Sequence, residues 1–351
     1  MPFKRLISAI FIILITILSA VPVSACTIFT TKLEDGTFIA GNNEDWMYTI
    51  PNSMILYAPS QDCLDSVCFY NASFVQGGMN EYGLFYDGAS CPSSTVPYDS
   101  NKESLDYDLG KLILSKCKTV KEVETFLKEY NIPKSFCDHL LFADATGDSA
   151  VFEWMNDELY IIRKENTQDY QLITNFWLTD PKLGNYPCAR YDAALKSLQV
   201  GTPLLEDCVQ ILESCKQNWG DGGTLYSNIY DLSNKEVYIY SRGDLSSPYK
   251  FNLLQELQSI APGSEKSVTF DELNFTPLAN TAPFQEQISP QSTALHTNEL
   301  ETQNQASTAA QPNTENSHPF VKFILPLSLL SILVVLIMIY IMKKINQNSI
   351  K

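Results

Sequence analysis

Histidine is nearly absent from this chain. The 351 residues include three, and two of them, His296 and His318, fall in a polar C-terminal stretch, so the body holds only His139. A His-rich metal site is therefore excluded, and Ser-His-Asp or Cys-His hydrolysis would depend on that one ring. Basic residues are also few: 24 Lys and Arg face 40 Asp and Glu, a net charge of −16. With no basic footprint for phosphates, the composition argues against a nucleic-acid partner. There is no P-loop, no Gly-x-Gly-x-x-Gly turn and no His-Glu-x-x-His helix, and nothing calls for a cofactor or a metal. Paired-carboxylate glycoside chemistry stays open, because sequence alone gives no separation in space.

Both ends are unlike the middle. Residues 1–25 read as a secretory signal: Lys4 and Arg5, an apolar run from Leu6 to Leu18, then Val23-Ser24-Ala25 with a small residue at the cleavage position. Near the other end, Phe323 to Met342 is 20 residues long without a charge. At 1.5 Å per residue that crosses a hydrocarbon core of roughly 30 Å, which predicts a transmembrane helix over 320–342. Lys343, Lys344 and Lys351 make 343–351 a cytoplasmic tail, leaving the body outside the cell. Between body and span, 259–319 is predicted to be a flexible low-complexity stalk rich in Ser, Thr, Asn, Gln and Pro. The folded domain is then 26–258.

The nine cysteines fit an exterior address. Besides Cys26, the remaining eight (Cys63, Cys68, Cys91, Cys117, Cys137, Cys188, Cys208, Cys215) are an even number, predicting mostly paired cysteines with a local Cys63–Cys68 bridge. Cys117 and Cys208 fall on helical apolar faces and also read as buried free thiols.

Along the body, Cys26 to Leu33 and Thr37 to Gly41 read as a strand pair around Glu34-Asp35-Gly36. A β region covers Ser73 to Gly88, broken at Gly77-Gly78. Leu105 to Cys117 predicts a helix, and Val120, Val123, Phe126, Leu127 and Tyr130 form the apolar stripe of another, capped by Thr119. Strands return at His139 to Asp144, Ser149 to Met155, Leu159 to Arg163 and Leu172 to Asn175. Helices follow at Arg190 to Leu198 and Pro203 to Cys215, then strands at Leu225 to Asp231 and Glu236 to Ser241. The order predicts an α+β fold with large sheets covered by helices.

Cleavage after Ala25 would make Cys26 the first residue, joining a thiol and a free α-amine in one residue. An α-amine has an ordinary pKa of about 7.7–8.0 and can act as base for its own thiol, so no histidine is needed. Val23-Ser24-Ala25-Cys26 also matches a lipobox, in which Cys26 would be acylated as a lipid anchor and could not attack an amide. A strand beginning at once and a second anchor at the C-terminus weigh against that fate.

Cys26-Thr27-Ile28-Phe29 followed by Gly41-Asn42-Asn43-Glu44-Asp45-Trp46 resembles the start of the choloylglycine hydrolase and penicillin acylase group, and especially its isopenicillin-N acyltransferase-like branch. The resemblance continues through Gly78 to Leu84, Ala143 to Trp154, Thr174-Asn175-Phe176, Ala189-Arg190-Tyr191-Asp192 and Asn228 to Asp231. It implies a four-layer αββα fold of the N-terminal-nucleophile hydrolases. It also implies Cys26 as nucleophile, Asp45 orienting nucleophile and amine, Asn80 and Asn175 at the oxyanion hole, and Arg190 near the centre. Asn42 stands where many bile-salt and penicillin V relatives have arginine, so it is a candidate for substrate binding or for tuning the thiol, and those two substrate classes become less expected. The expected protein is a membrane-tethered amidase acting on a small-molecule linear amide. The same site would be an acyltransferase if an amine intercepts the thioester, and a non-catalytic ectodomain if Cys26 is acylated.

Overall fold

The strand pair expected at the start of the body is present and sits inside a large sheet. The computed structural model describes residues 26–275, apart from 60, 61, 106, 107, 135, 166, 167 and 185. The signal segment 1–25, the stalk beyond 275, the span 320–342 and the tail lie outside the described residues. The chain divides into two units, Met1–Phe284 and Gln285–Lys351, and everything described belongs to the first. No helix among the described residues is long and apolar enough to cross a membrane.

The strands are β1 (Thr27–Lys32), β2 (Phe38–Met47), β3 (Asn52–Ala58), β4 (Ser66–Asn71), β5 (Phe74–Asn80), β6 (Phe85–Ser90), β7 (Asp138–Ala143), β8 (Ser149–Met155), β9 (Glu158–Arg163), β10 (Tyr170–Ile173), β11 (Gly222–Asp231), β12 (Glu236–Ser241), β13 (Tyr249–Asn252) and β14 (Ser264–Thr269). The helices are α1 (Leu109–Lys116), α2 (Val120–Glu129), α3 (Ala189–Leu198), α4 (Leu205–Cys215) and α5 (Leu253–Gln258). One sheet has the order β10-β1-β2-β11-β12-β13, and the other has β14-β3-β4-β5-β6-β7-β8-β9. Pairing between neighbouring strands is antiparallel in both.

The two sheets pack face to face, and the period of two along each strand decides where its side chains go. In β1, Ile28 joins Met54, Val67, Phe69 and Phe85 of the opposite sheet in the central core. Phe29, one residue on, turns outward to meet Ala194 and Leu198 of α3 and Ile211 and Leu212 of α4. On the far side, Leu109, Ile113 and Leu114 of α1 and Val120, Val123 and Leu127 of α2 cover Tyr86, Phe142 and Phe152. The layers are therefore helix, sheet, sheet, helix, which is the expected αββα arrangement. Thr119 caps α2 as expected, accepting the Glu122 N–H at 3.3 Å.

Three expectations change. Gly77-Gly78 does not break the chain. Both residues lie within β5, because a Cβ on Gly77 would fall 2.5 Å from Asp87 Oδ2 and one on Gly78 would fall 2.3 Å from the Val67 carbonyl. The turn comes later, at Glu81 to Leu84. The body also runs past 258 into the expected stalk, since β14 pairs with β3 from Ser264↔Ala58 to Thr269↔Ser53. Finally, all nine cysteines are free. Cys68 and Cys117 pack with the buried faces of α1 and α2, and Cys208 and Cys215 lie on the buried face of α4, in one cluster with Ala194 and Leu198 of α3. These thiols act as small apolar side chains, and burial pushes Cys68, Cys117 and Cys208 up to about 12.

Candidate active site

Strand β2 carries Gly-Asn-Asn-Glu-Asp through the middle of a sheet, an expensive place for polar side chains unless each has a partner. The register places Ile28 opposite Asn42 and Thr27 opposite Asn43. Cys26, just ahead of β1, shares the inter-sheet face with Asn42 and Glu44, while Asn43 points toward the helices. There Asn43 donates to the Leu212 carbonyl at 2.8 Å and accepts from the Ser227 hydroxyl at 2.6 Å. Asn43 therefore locks β2 to α4 and β11.

Cys26 is 4% exposed. Its Sγ lies 3.7 Å from Glu44 Oε1. Burial pushes the thiol well above its ordinary range, and the charges of Glu44 and Asp45 add to that, while the Asp45 main-chain N–H opposes it. Asp45 is fully buried and accepts the Thr224 hydroxyl at 2.5 Å. Burial pushes its carboxyl up to about 7, against that hydrogen bond and the positive charge of Arg190.

Arg190 is the hub. One guanidinium nitrogen, Nη1, donates to the Cys26 carbonyl and, at 3.0 Å, to Thr27 Oγ1. The other, Nη2, donates to Asn175 Oδ1 at 3.0 Å. Asn175 Nδ2 in turn donates to the Ser90 carbonyl at 3.0 Å, which leaves its second amide hydrogen for another acceptor. Cys26, Arg190, Asp45 and Asn175 are thus brought together. His139 braces the Asn175 segment rather than joining the chemistry: its ring nitrogens lie 2.9 Å from Glu153 Oε1 and 2.6 Å from the Thr174 carbonyl. Glu153 also accepts the N–H groups of Leu178 and Thr179. Burial pushes the Glu153 carboxyl up, but the hydrogen bond and charge of His139 outweigh it and hold it below its usual range.

Asn80 departs from its expected role. Its Nδ2 donates to the carbonyls of Leu114 and Cys117, at 2.9 and 2.8 Å, and its Oδ1 accepts the N–H groups of Tyr82 and Leu84, both at 3.1 Å. Both amide hydrogens are engaged, so Asn80 fastens the β5–β6 turn to the end of α1 and offers nothing to an oxyanion. Asn42 is buried on the Cys26 face, and its Oδ1 has no hydrogen-bond partner.

Cys26 lines a pocket of about 300 Å³ with Trp46, Phe74, Tyr86, Ser90 and Phe136, and with Asp108 and Asp138 at its polar edge. Sequence reasoning missed Ser90, whose hydroxyl donates to Asp138 at 2.7 Å while its carbonyl holds Asn175. It also gave no role to Glu44 or Asp87; the only local signal was an acid inside an otherwise buried strand. A larger cleft of about 980 Å³, lined by Val96, Tyr98, Leu127 and Trp154, includes neither Cys26 nor Asn175. Among the described residues, no three His, Cys, Asp or Glu side chains are grouped to hold a metal.

The model of the acyl-coenzyme A:6-aminopenicillanic acid acyl-transferase family matches residues 31–245, more than half of the chain. The chain belongs to this family. The matched range begins after Cys26 and includes Asp45, Asn175 and Arg190. Membership in the acyl-transferase family places the chain among enzymes that make or break acyl–nitrogen bonds. The fold agrees. Two forms of the conjugated bile acid hydrolase from Clostridium perfringens superpose at 17% identity. A mutant form has a TM-score of 0.56, covering 71% of this chain and 98% of that one. A second variant has a TM-score of 0.57, covering 73% and 99%. Penicillin V acylase from Agrobacterium tumefaciens gives 0.55 at 17% identity, covering 72% and 98%. No curated protein sequence matches the chain. These neighbours share the N-terminal-nucleophile hydrolase fold.

Proposed function

We propose that the protein is an amidase whose nucleophile is the thiol of Cys26, exposed as an N-terminal residue by cleavage after Ala25. The observation that carries this reading is the Arg190 bridge, which ties the main chain of Cys26, a residue lining an aromatic pocket, to the Asn175 side chain. In this reading the substrate carbonyl enters beside Sγ, and the unengaged Asn175 N–H receives the oxyanion. Such a donor is worth about 2.7–4 kcal/mol in the transition state. The thioester is then released by water, or by an amine, which would make the same site an acyltransferase; the family's own description favours keeping that second outcome. The burial of Cys26 at the head of a sheet strand counts against lipid acylation of its sulfur.

The pocket lining holds four aromatic rings and two carboxylates and, among the described residues, no Lys or Arg. With Asn42 in place of arginine, this favours an apolar acyl group without negative charge over an anionic one. We further propose an exterior, tethered protein, on the strength of the signal-like start, the uncharged stretch 323–342 and the lysines after it.

The test separates thiol from amine. Cys26→Ala should abolish turnover. A chain beginning one or two untrimmed residues earlier keeps the thiol but turns the amine into an amide, and should lose about 10²–10⁴-fold in kcat. Full activity with a verified extended N-terminus would refute the N-terminal-nucleophile assignment.

A further inference from the structure

Cys91 and Cys137 stand at one end of the β6–β7 pair, and the proposed reaction uses neither. The register of that pair runs from Phe85↔Ala143 to Ser90↔Asp138, so one further step sets Cys91 opposite Cys137. The step is made: the Cys91 N–H donates to the Cys137 carbonyl at 2.7 Å. Opposed residues of an antiparallel pair project to the same face, and in the hydrogen-bonded kind their Cα atoms lie about 5.5 Å apart. A disulfide spans Cα atoms about 4.4–6.8 Å apart, so the main chain already stands at bridging distance. The Cβ atoms of an opposed pair, about 4.5–5.5 Å apart, have to close by about 1 Å. Both strands end here, where such a closure disturbs the sheet least. The thiols also sense each other, since charge on Cys137 opposes ionisation of Cys91. Among the described residues no other two cysteines are opposed by strand register; Cys68, the one cysteine inside a strand, faces Ile55 and Gly78.

The two thiols differ in access. Cys137 is half-buried and lines the Cys26 pocket, whereas Cys91 is buried against Met155 and Trp177. What lies between them gives the pair its purpose. Residues 92–136 carry α1 and α2, and from this stretch Asp108, Leu109, Gly110 and Phe136 form one wall of the pocket. The next residue on each strand is part of the site as well. The Ser90 hydroxyl donates to Asp138 and its carbonyl holds Asn175.

We propose that Cys91 and Cys137 are a redox modification site, a reversible cross-strand disulfide that staples the helical wall of the Cys26 pocket to the sheet. The oxidant is a small-molecule disulfide such as glutathione disulfide. The Cys137 thiolate attacks one sulfur of the oxidant, which forms a mixed disulfide and releases one thiolate. The Cys91 thiolate then attacks the Cys137 sulfur, the mixed disulfide breaks, and the second thiolate leaves. The two protein thiols lose two electrons and two protons, and the oxidant, taking both, ends as two thiols. Burial and the charges of Glu153 and Asp138 push the Cys91 thiol up, and burial and Asp138 do the same to Cys137, so the exchange is slow at neutral pH. The bridge needs nothing from Cys26 and does not depend on the amidase reading.

The experiment uses the full chain in mild detergent, incubated with glutathione disulfide at about pH 8.5, where more of each thiol is ionised. Remaining thiols are then blocked with N-ethylmaleimide, and the unreduced digest is mapped by mass. One linked pair of peptides should carry Cys91 and Cys137, lighter by two hydrogens than the two free peptides together, and dithiothreitol should separate it. Recovery of both cysteines as blocked thiols, a glutathione adduct that does not resolve, or a bridge from either one to another cysteine overturns the proposal. The second readout is thermal unfolding. Closing the loop over 92–136 should raise Tm by at least about 3 °C in the parent, and the same treatment should leave the Tm of Cys137→Ser where it was. A parent Tm that does not rise once the bridge is mapped, or a rise of equal size in Cys137→Ser, overturns the role of the bridge as a staple. If Cys137→Ser does not fold, Cys91→Ala takes its place, and the map of the parent needs no variant. No arm reads turnover, so a failure of the amidase reading leaves every outcome interpretable.

Discussion

Asp45→Asn in the uncleaved chain should make the protein more stable while disabling its site, and the gain should appear only above a defined pH. Asp45 is fully buried, and burial raises its carboxyl from 3.8 to about 7 despite the Thr224 hydrogen bond. A group whose folded pKa is raised contributes stability that is fully present below the unfolded value and is lost as pH rises through the folded value. Each unit is worth about 1.4 kcal/mol, so a shift from 3.8 to about 7 amounts to on the order of 4 kcal/mol lost between pH 4 and 7, and constant thereafter. Asparagine imitates the protonated acid, still accepts the Thr224 hydroxyl, and has nothing to ionise. It also relieves Glu44, which the charge of Asp45 helps to push up. Urea unfolding of the full chain in mild detergent, at half-unit steps from pH 3.5 to 8, should give equal stabilities for the two proteins at the acid end and a gap opening to about 4 kcal/mol by pH 7.5. In the processed chain the liberated ammonium of Cys26 favours the Asp45 carboxylate, and the gap should shrink. A gap independent of pH, or a variant less stable than the parent at pH 8, would refute the reasoning.

Two further substitutions separate scaffold from chemistry. Asn80→Ala removes four hydrogen bonds and strands the buried carbonyls of Leu114 and Cys117, so it should cost about 2–5 kcal/mol by denaturant unfolding while kcat per folded molecule stays within threefold; a hundredfold fall in kcat at unchanged stability would return Asn80 to the oxyanion hole. Gly110→Ala places a Cβ 1.8 Å from the ring of Tyr86, which lines the pocket, so it should cost at least about 1–3 kcal/mol, lower Tm by several degrees and raise KM; an unchanged Tm would mean that α1 can slide.

The hairpin β1–β2 and the helices α1 to α4 were legible because each buries one stripe or has a clear turn beside it. β3 and β4 were not, because their apolar residues face a buried layer on one side and helix or core on the other, which erases the alternation that marks a strand. β14 was hidden for the opposite reason: Ser-Glu-Lys-Ser-Val-Thr is nearly all exposed and reads as stalk, and it is held by main-chain pairing to β3. Within the site, Cys26, Asp45, Asn175 and Arg190 were reachable through the family resemblance. Asn80 and Ser90 lie either side of one turn, and only the through-space bond from Asn175 distinguishes the one that touches the centre. The even cysteine count suggested bridges, whereas packing treats most of these thiols as small hydrophobes.

The way the body ends has a mechanical consequence. After β14, Leu273 is buried in the central core, with Phe270 and Phe275 packed against it, and the Phe270 ring lies 4.8 Å from that of Tyr226. Tyr226 stands beside Glu44 and Cys26. A pull exerted on the chain beyond residue 275 would therefore be borne first by an aromatic plug seated at the back of the nucleophile, ahead of any strand of the sheets. Tension at the exit and geometry at the sulfur are linked through two rings packed edge to face, so the last turn of the folded body works as a strain gauge for the residue that heads its first strand.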